Sequence, residues 1–319
     1  MVCPAPPRSR TGNRVTARRW RGILTRLGHS GRVLHAAWAD YSACDLLVAL
    51  HAIKSGGAIA RFRMAHPGRP VLVVLTGTDF FEPGGNRPVL DQSLGHADRV
   101  IVLQNHLATQ LPVEMRAKVR VIYQSFAAPA PRYLPLEDCF EVCVLGHLRA
   151  VKDSLLAART ARLLPEESRI RITQVGGALE PEQAHFARME QRENSRYQWL
   201  GELGRTGAVR VLGRCRLLVQ SSLAEGGPSA VSEAVALGVP VLSTPTSGVV
   251  GLLGESYAGY FPFSDPHALV ALMRRVETEP DFARSLLAQS AEAREWIQPR
   301  RETEAWKNLL DEFYPTPGK

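Results

Sequence analysis

The chain has 319 residues, 45% hydrophobic and 22% charged, with a formal net charge of +8 and a pI near 9.5. At about 150 residues per domain this length suits two domains with an ordinary globular core. No apolar run approaches the roughly 18 residues needed to span a bilayer, and MVCPAPPRSRTGNR at the amino terminus lacks an apolar core of signal-peptide length, so a cytoplasmic protein with no membrane partner is expected.

Five cysteines are an odd number, scattered without metal-ligand spacing. They read as buried free thiols, with no zinc site. Much of the positive charge falls early, at Arg8, Arg10, Arg14, Arg18, Arg19, Arg21 and Arg26. Such a stretch suits a nucleic acid or a basic site for phosphorylated small molecules. Aromatic interleaving is poor and no helix-turn-helix, zinc-finger or RNA-recognition pattern occurs, so small-molecule substrates and no nucleic acid are expected.

In chain order, NRVTARRWRGILTRLGH (13–29) reads as a helix with Val15, Trp20, Ile23, Leu24 and Leu27 on its apolar side and Gly28 as its stop. Strand-like runs follow at 31–38, 44–51, 70–79, 99–104 and 118–125, most preceded by a helical stretch such as 55–67. Their continuous rather than alternating apolar character suits a parallel sheet covered on both faces. Only MVCP precedes the first turn, so the first strand is very short or truncated. Proline-rich FAAPAPRYLPLE (126–137) reads as a linker, after which the alternation restarts. Strands are predicted at 140–148, 169–177, 197–201 and 215–222, and helices at 154–164, 181–194, 207–215, 265–280, 281–299 and 301–314. Two successive βα halves imply an α/β protein of two Rossmann-like domains facing an inter-domain cleft.

The segment EGGPSAVSEAVALGVPVLSTP (225–245) carries the most chemistry. Glu225 and Glu233 flank a Gly226-Gly227-Pro228 turn that opens a helix at Ser229. Free N–H groups and the positive end of the macrodipole favour an anion there, glycines allow close backbone approach, and a carboxylate further along accepts hydrogen bonds from sugar hydroxyls. Phosphate donors beside diol acceptors suit a nucleotide-sugar. In GHLRAVKD (146–153), Arg149 and Lys152 place two cations at one strand-to-helix turn, suited to a diphosphate leaving group. WLGEL (199–203) offers backbone at Gly201 and Leu203 to a base edge. In the first half, Gly12, Asn13 and Arg14 of TGNRVTA lie in the loop before the first helix, where Arg14 can meet an anion. Thr78 and Asp79 of LTGTD, and His51 with Lys54, fall at the carboxyl edge of strands, where open α/β sheets bind ligands. Capping is the alternative role for Asp79.

The paired glutamates and the GHLRAVK turn resemble the Glu-x7-Glu and Gly-Arg-Leu-x3-Lys signatures of family-4-type glycosyltransferases of the GT-B fold. Lys152 falls on the motif lysine. His147 takes the usual arginine position, with Arg149 two residues later. The resemblance implies that Glu233 holds the nucleotide ribose and that Glu225 lies near the donor sugar. It also implies domains at 1–130 and 131–298, with a terminal helix (299–319) crossing back to the first domain. More narrowly, TGNRVTA, DLLVALHA, ARFRMAHPGRPVLVVLTGTD, ADRVIVLQ, KVRVIYQS, GHLRAVKD, RYQWLGEL and EGGPSAVSEA together resemble the selenosugar synthases of selenoneine biosynthesis (SenB-like proteins). That resemblance implies transfer of a sugar from a UDP-sugar, such as UDP-N-acetylglucosamine, to selenophosphate. Arg149, Lys152, Glu225 and His51 would then be the catalytic group, and Gly12, Asn13, Arg14, Lys54, Thr78 and Asp79 the acceptor side, with no cofactor and no metal. An enzyme with a sugar or lipid acceptor, or a UDP-sugar epimerase, is the alternative.

Overall fold

The computed structural model describes residues 1–9, 11–37, 43–81, 84–129 and 133–315. Arg10, Trp38 of the predicted run 31–38, residues 130–132 of the predicted linker and the last four residues of the predicted 299–319 segment lie outside the described residues. The chain forms two compact units. The first comprises Met1–Ser125, Glu225–Gly227 and the segment beginning at Gln298. The second comprises Phe126–Ala224 and Pro228–Ile297.

The first unit holds strands β1 (Val2–Cys3), β2 (Leu34–His35), β3 (Leu47–Leu50), β4 (Val71–Val74), β5 (Arg99–Val102) and β6 (Val119–Val121). They form one sheet in the order β2-β1-β3-β4-β5-β6, and every pairing is parallel. β3 and β4 are buried at every position, because successive side chains enter two different cores. Leu47, Ala49, Val71 and Val73 pack with Ile59, Phe62 and Leu90 on one face. Val48, Leu50, Leu72 and Val74 pack with Trp20, Ile23, Trp306 and Leu309 on the other. That second core joins the helix Gly12–Arg26 to the terminal helix Pro299–Asp311. Their indoles meet edge to face with centroids 4.9 Å apart, an arrangement worth about 1 kcal/mol beyond the area buried. Glu302, 1% exposed, accepts bonds from Trp20 Nε1 at 2.7 Å, Arg19 Nε at 3.2 Å and Ser125 Oγ at 2.5 Å. The terminal helix is thereby fastened to this unit by a buried charge as well as by packing.

The second unit holds β7 (Phe140–Leu145), β8 (Ile170–Val175), β9 (Tyr197–Trp199), β10 (Leu217–Gln220) and β11 (Val241–Ser243). Again all pairings are parallel, in the order β11-β10-β7-β8-β9. Four of the five cysteines are buried thiols and Cys44 is half-buried, all unbridged.

Three elements differ from expectation. β1 is a two-residue strand inside its sheet, too short to give a periodic signal. The run 31–38 contributes only Leu34–His35. The helix expected over 281–299 is two helices, Pro280–Gln289 and Ala291–Trp296, parted at Ser290 with φ −88° and ψ 3°.

Candidate functional site

Each sheet reverses its winding once, and such reversals open a crevice at the carboxyl ends of the strands. In the second sheet the reversal lies between β7 and β10. The segment after β7 is Gly146–Asp153, and the segment after β10 begins at Ser221. These two are stitched together. Ser221 Oγ donates to the carbonyls of Lys152 (3.1 Å) and Asp153 (2.9 Å), and Leu223 N–H donates to Val151 O at 2.9 Å. Asp153 is left-handed at φ 38° and closes the single tight turn Ala150–Lys152. The turn places Arg149 and Lys152, both half-buried, at the reversal. Glu180 faces the same turn, 3.8 Å from Arg149 Nε, and accepts the Ala150 N–H at 2.8 Å. His147 Nδ1 accepts the Gly177 N–H at 3.1 Å. That histidine therefore braces the neighbouring loop, and the cationic groups of the turn are Arg149 and Lys152.

The helix Ser229–Leu237 starts beside this turn in the fold order. Its cap residue Pro228 supplies no side-chain acceptor and its first turn holds no acid, so the N–H groups from the exposed Ser229 onward keep their capacity for an anion. Glu233 lies one turn further, its side chain 15% exposed, with Arg205 Nη1 at 3.5 Å from Oε1. Arg205 also stacks on Phe126, 5.2 Å from its ring centroid. Arg205 follows directly on the turn that holds Gly201 and Leu203. The structure thus brings that turn to Glu233 through a residue the sequence reading missed. Gly201 is left-handed at φ 69°, and its carbonyl accepts the Gly176 N–H at 2.8 Å. Trp199 Nε1 in turn donates to Gly176 O at 2.7 Å.

Glu225, Gly226 and Gly227 belong to the first unit. Here the reason for the glycines differs from the one expected. A Cβ on Gly226 would lie 2.6 Å from Gly77 N and from Thr76 C, and one on Gly227 would lie 2.6 Å from Leu103 Cδ1. Close packing of this turn on the Thr76–Gly77 backbone and Leu103 requires them, whatever they do for a ligand. Glu225 is 9% exposed.

At the carboxyl edge of β3, His51 is left-handed at φ 70° and 4% exposed. Its Nδ1 accepts the Lys54 N–H at 3.3 Å and lies 3.8 Å from Asp79 Oδ2. Accepting at Nδ1 assigns the ring proton to Nε2, which faces Thr78 Oγ1 at 3.5 Å. The histidine therefore orients Thr78. Lys54 itself is exposed. Asp79 corrects the expectation of an acceptor contact. It is fully buried, and its oxygens accept the N–H groups of Ala52, Thr76 and Gly77, each at 2.9 Å. The carboxylate ties the loop after β3 to the loop after β4. Gly12, Asn13 and Arg14 form the first turn of the helix capped by Thr11, rather than a loop before it.

Among the described residues no group of three or more His, Cys, Asp and Glu side chains is placed to hold a metal ion, and no helix is long and apolar enough to cross a membrane.

The profile of glycosyl transferases group 1 matches residues 132–296, more than half of the chain. The chain belongs to the glycosyl transferases group 1 family. This glycosyltransferase is similar to the Xenopus tropicalis glycosyltransferase 1 domain-containing protein 1, with 26% identity over 309 residues covering 89% of each chain. Its fold matches the crystal structure of Anabaena Alr3699/HepE in complex with UDP and glucose, with a TM-score of 0.72 at 16% identity over 92% of this chain and 89% of that one. It also matches sucrose-phosphate synthase from Thermosynechococcus elongatus, with a TM-score of 0.68 at 15% identity over 94% of this chain and 77% of that one. The two parallel-sheet Rossmann-like domains of the GT-B glycosyltransferases are the fold of this chain.

Proposed function

We propose that this glycosyltransferase moves a sugar from a UDP-sugar, such as UDP-N-acetylglucosamine, to selenophosphate. The observation that carries the donor half is the stitched reversal of the second sheet. There Arg149 and Lys152, the uncapped start of the Ser229–Leu237 helix and the Arg205-braced Glu233 supply cations, N–H donors and a diol acceptor in one unit. The UDP bound by HepE supports the choice of nucleotide. The acceptor half rests on the resemblance of the segments quoted above to selenosugar synthases.

In this reading Glu233 accepts the ribose hydroxyls and Glu225 fixes the donor sugar. Arg149, Lys152 and the helix N–H groups take up negative charge as it develops on the diphosphate. Such donors act mainly in the transition state, where the charge appears. A selenium lone pair attacks the anomeric carbon, the bond from that carbon to the β-phosphate oxygen breaks, and its electron pair leaves with UDP. Water then cleaves the Se–P bond, giving its hydroxyl to phosphorus and a proton to selenium, and phosphate departs. The anionic, polarisable selenium nucleophile needs little general-base help, which agrees with a His51 engaged in holding Thr78. Reaction in the cytoplasm is part of the proposal.

The test incubates the protein with a UDP-sugar panel and selenophosphate and detects products by mass spectrometry. A selenium-bearing sugar with stoichiometric UDP is expected. Transfer to a carbohydrate or lipid while selenophosphate is ignored would overturn the acceptor assignment. UDP release with an isomerised sugar and no acceptor would make the protein an epimerase.

A further inference from the structure

The chain neighbours of the turn Glu225–Gly227, Ala224 and Pro228, belong to the second unit. Within the first unit the turn is therefore located by packing alone, and it is gripped from two sides. On one side Gly77 and Gly226 meet backbone to backbone. A Cβ on Gly77 would stand 2.6 Å from Gly226 N and 3.3 Å from Glu225 C. On the other side a Cβ on Gly227 would stand 2.6 Å from Leu103 Cδ1 and 3.3 Å from Gln124 Oε1. The Gln124 amide is itself fixed, donating from Nε2 to Thr16 Oγ1 at 2.7 Å. With no side chain at Gly77 or Gly226 to yield, a shift of the Gly77 backbone passes directly to the peptide that carries Glu225.

Gly77 in turn is held by Asp79. At φ 123° it occupies a conformation that favours glycine, and both its backbone groups are bound. Its N–H donates to Asp79 Oδ1 at 2.9 Å, and its carbonyl accepts the Phe80 and Phe81 N–H groups, each at 2.9 Å. Oδ1 also accepts the Thr76 N–H, while Oδ2 accepts the Ala52 N–H from the loop after β3. A fully buried carboxylate has to satisfy its oxygens within the protein. A helix cap needs only donors of its own helix, yet here the donors are Ala52 and the two residues on which the Glu225 turn lies. The carboxylate thus fixes a platform, and the turn rests on that platform.

We propose that Asp79 is a positioning residue for Glu225. Through the Thr76–Gly77 backbone and Gly226 it sets where the Glu225 carboxylate stands against the donor sugar, without itself touching a substrate. The inference rests on the reading above in which Glu225 fixes that sugar.

Two variants disturb the platform differently. Gly77→Ala places a methyl group about 0.8 Å inside ordinary contact with the turn. Asp79→Asn keeps the shape but replaces an acceptor oxygen with an amide that faces N–H groups. Each is combined with Glu225→Ala, and all proteins are titrated calorimetrically with UDP and with UDP-N-acetylglucosamine, their folds checked by urea unfolding. Each single variant should weaken UDP-N-acetylglucosamine about tenfold, the scale of a misplaced charge-assisted hydrogen bond, and UDP less than about threefold. In the Glu225→Ala background neither should cost the nucleotide-sugar more than about a further twofold, because the group through which they act is gone. A loss repeated in full in the Glu225→Ala protein, or equal for the two ligands, overturns the proposal alone. Unchanged binding of UDP-N-acetylglucosamine by Glu225→Ala, or no binding of either ligand by the wild type, overturns the donor reading and the proposal with it. Asp79→Asn adds no volume, so the test remains decisive where Gly77→Ala does not fold.

Discussion

Gly176→Ala perturbs the setting of the loop that carries Arg149 and Lys152 at a single point. Gly176 directly follows β8 at φ 151°, and a Cβ on it would stand 2.0 Å from Gly146 O and 2.8 Å from His147 N. Ordinary contact begins near 3.4 Å, so the two loops must separate by about 1.4 Å or the backbone must leave its native conformation. The conformational term for a residue with a Cβ at such a φ is about 1–3 kcal/mol. Separation also strains the Gly177 N–H bond to His147 Nδ1 and the bonds Leu148 N–H to Gly177 O and Leu179 N–H to Leu148 O, each worth about 1 kcal/mol. A loss of about 3–5 kcal/mol is expected in urea unfolding of the intact protein. Because the displaced loop carries Arg149 and Lys152, and misplacement by about 1 Å costs on the order of a hundredfold in rate, transferase turnover should fall by that order in protein that still folds. A variant that unfolds at the wild-type urea concentration and turns over normally would refute this account of how the loop is set.

Glu302→Ala leaves Trp20 Nε1, the Arg19 guanidinium and Ser125 facing an empty buried site, so about 3–5 kcal/mol of stability should be lost, read by near-ultraviolet circular dichroism of the indoles during unfolding. Glu312 accepts from Arg120 and Arg99, and the Arg120 guanidinium foremost holds its carboxyl below the usual range. A lowered carboxyl contributes stability that is present above the ordinary glutamate range and lost as pH falls through it towards the folded value. The difference in unfolding free energy between wild type and Glu312→Gln, measured in urea, should therefore shrink from pH 6 to pH 3, from a starting value of about 1 kcal/mol for this partly exposed group; a constant difference would contradict the pairing. Arg205→Met should weaken UDP binding about three- to tenfold through Glu233, and Arg205→Lys should restore part of it. Equal calorimetric affinities for both variants and wild type would remove Arg205 from the site.

The alternation of strands and helices was legible because fully covered parallel strands are continuous apolar runs, as Val71–Val74 shows. Their expected lengths exceed the strands, since the predicted runs 44–51 and 70–79 take in the polar residues His51 and Thr76–Asp79, which leave the sheet to form its carboxyl edge. The turn and helix positions of Arg149, Lys152 and Glu233 were also legible, because local spacing defines them. Partners distant in sequence were not. Asp79 reads as a helix cap or ligand contact, and only folding brings Ala52 N–H to it from 27 residues away. Glu302 falls on the apolar face of its helix four residues before Trp306, and a charge in that stripe is the local signal that a buried donor cluster awaits it. Arg205 gives no such signal. The glycines at 226 and 227 were recognised as necessary, but their crowding by Gly77 and Leu103 is a tertiary fact.

The most direct measurement is calorimetric titration of UDP into the wild-type protein and into Glu233→Gln, with both folds verified by circular dichroism. Binding with a dissociation constant in the micromolar range, weakened about tenfold or more by the substitution, is the predicted result. No heat at millimolar UDP, or the same affinity in both proteins, would contradict a nucleotide-sugar site at the reversal of the second sheet.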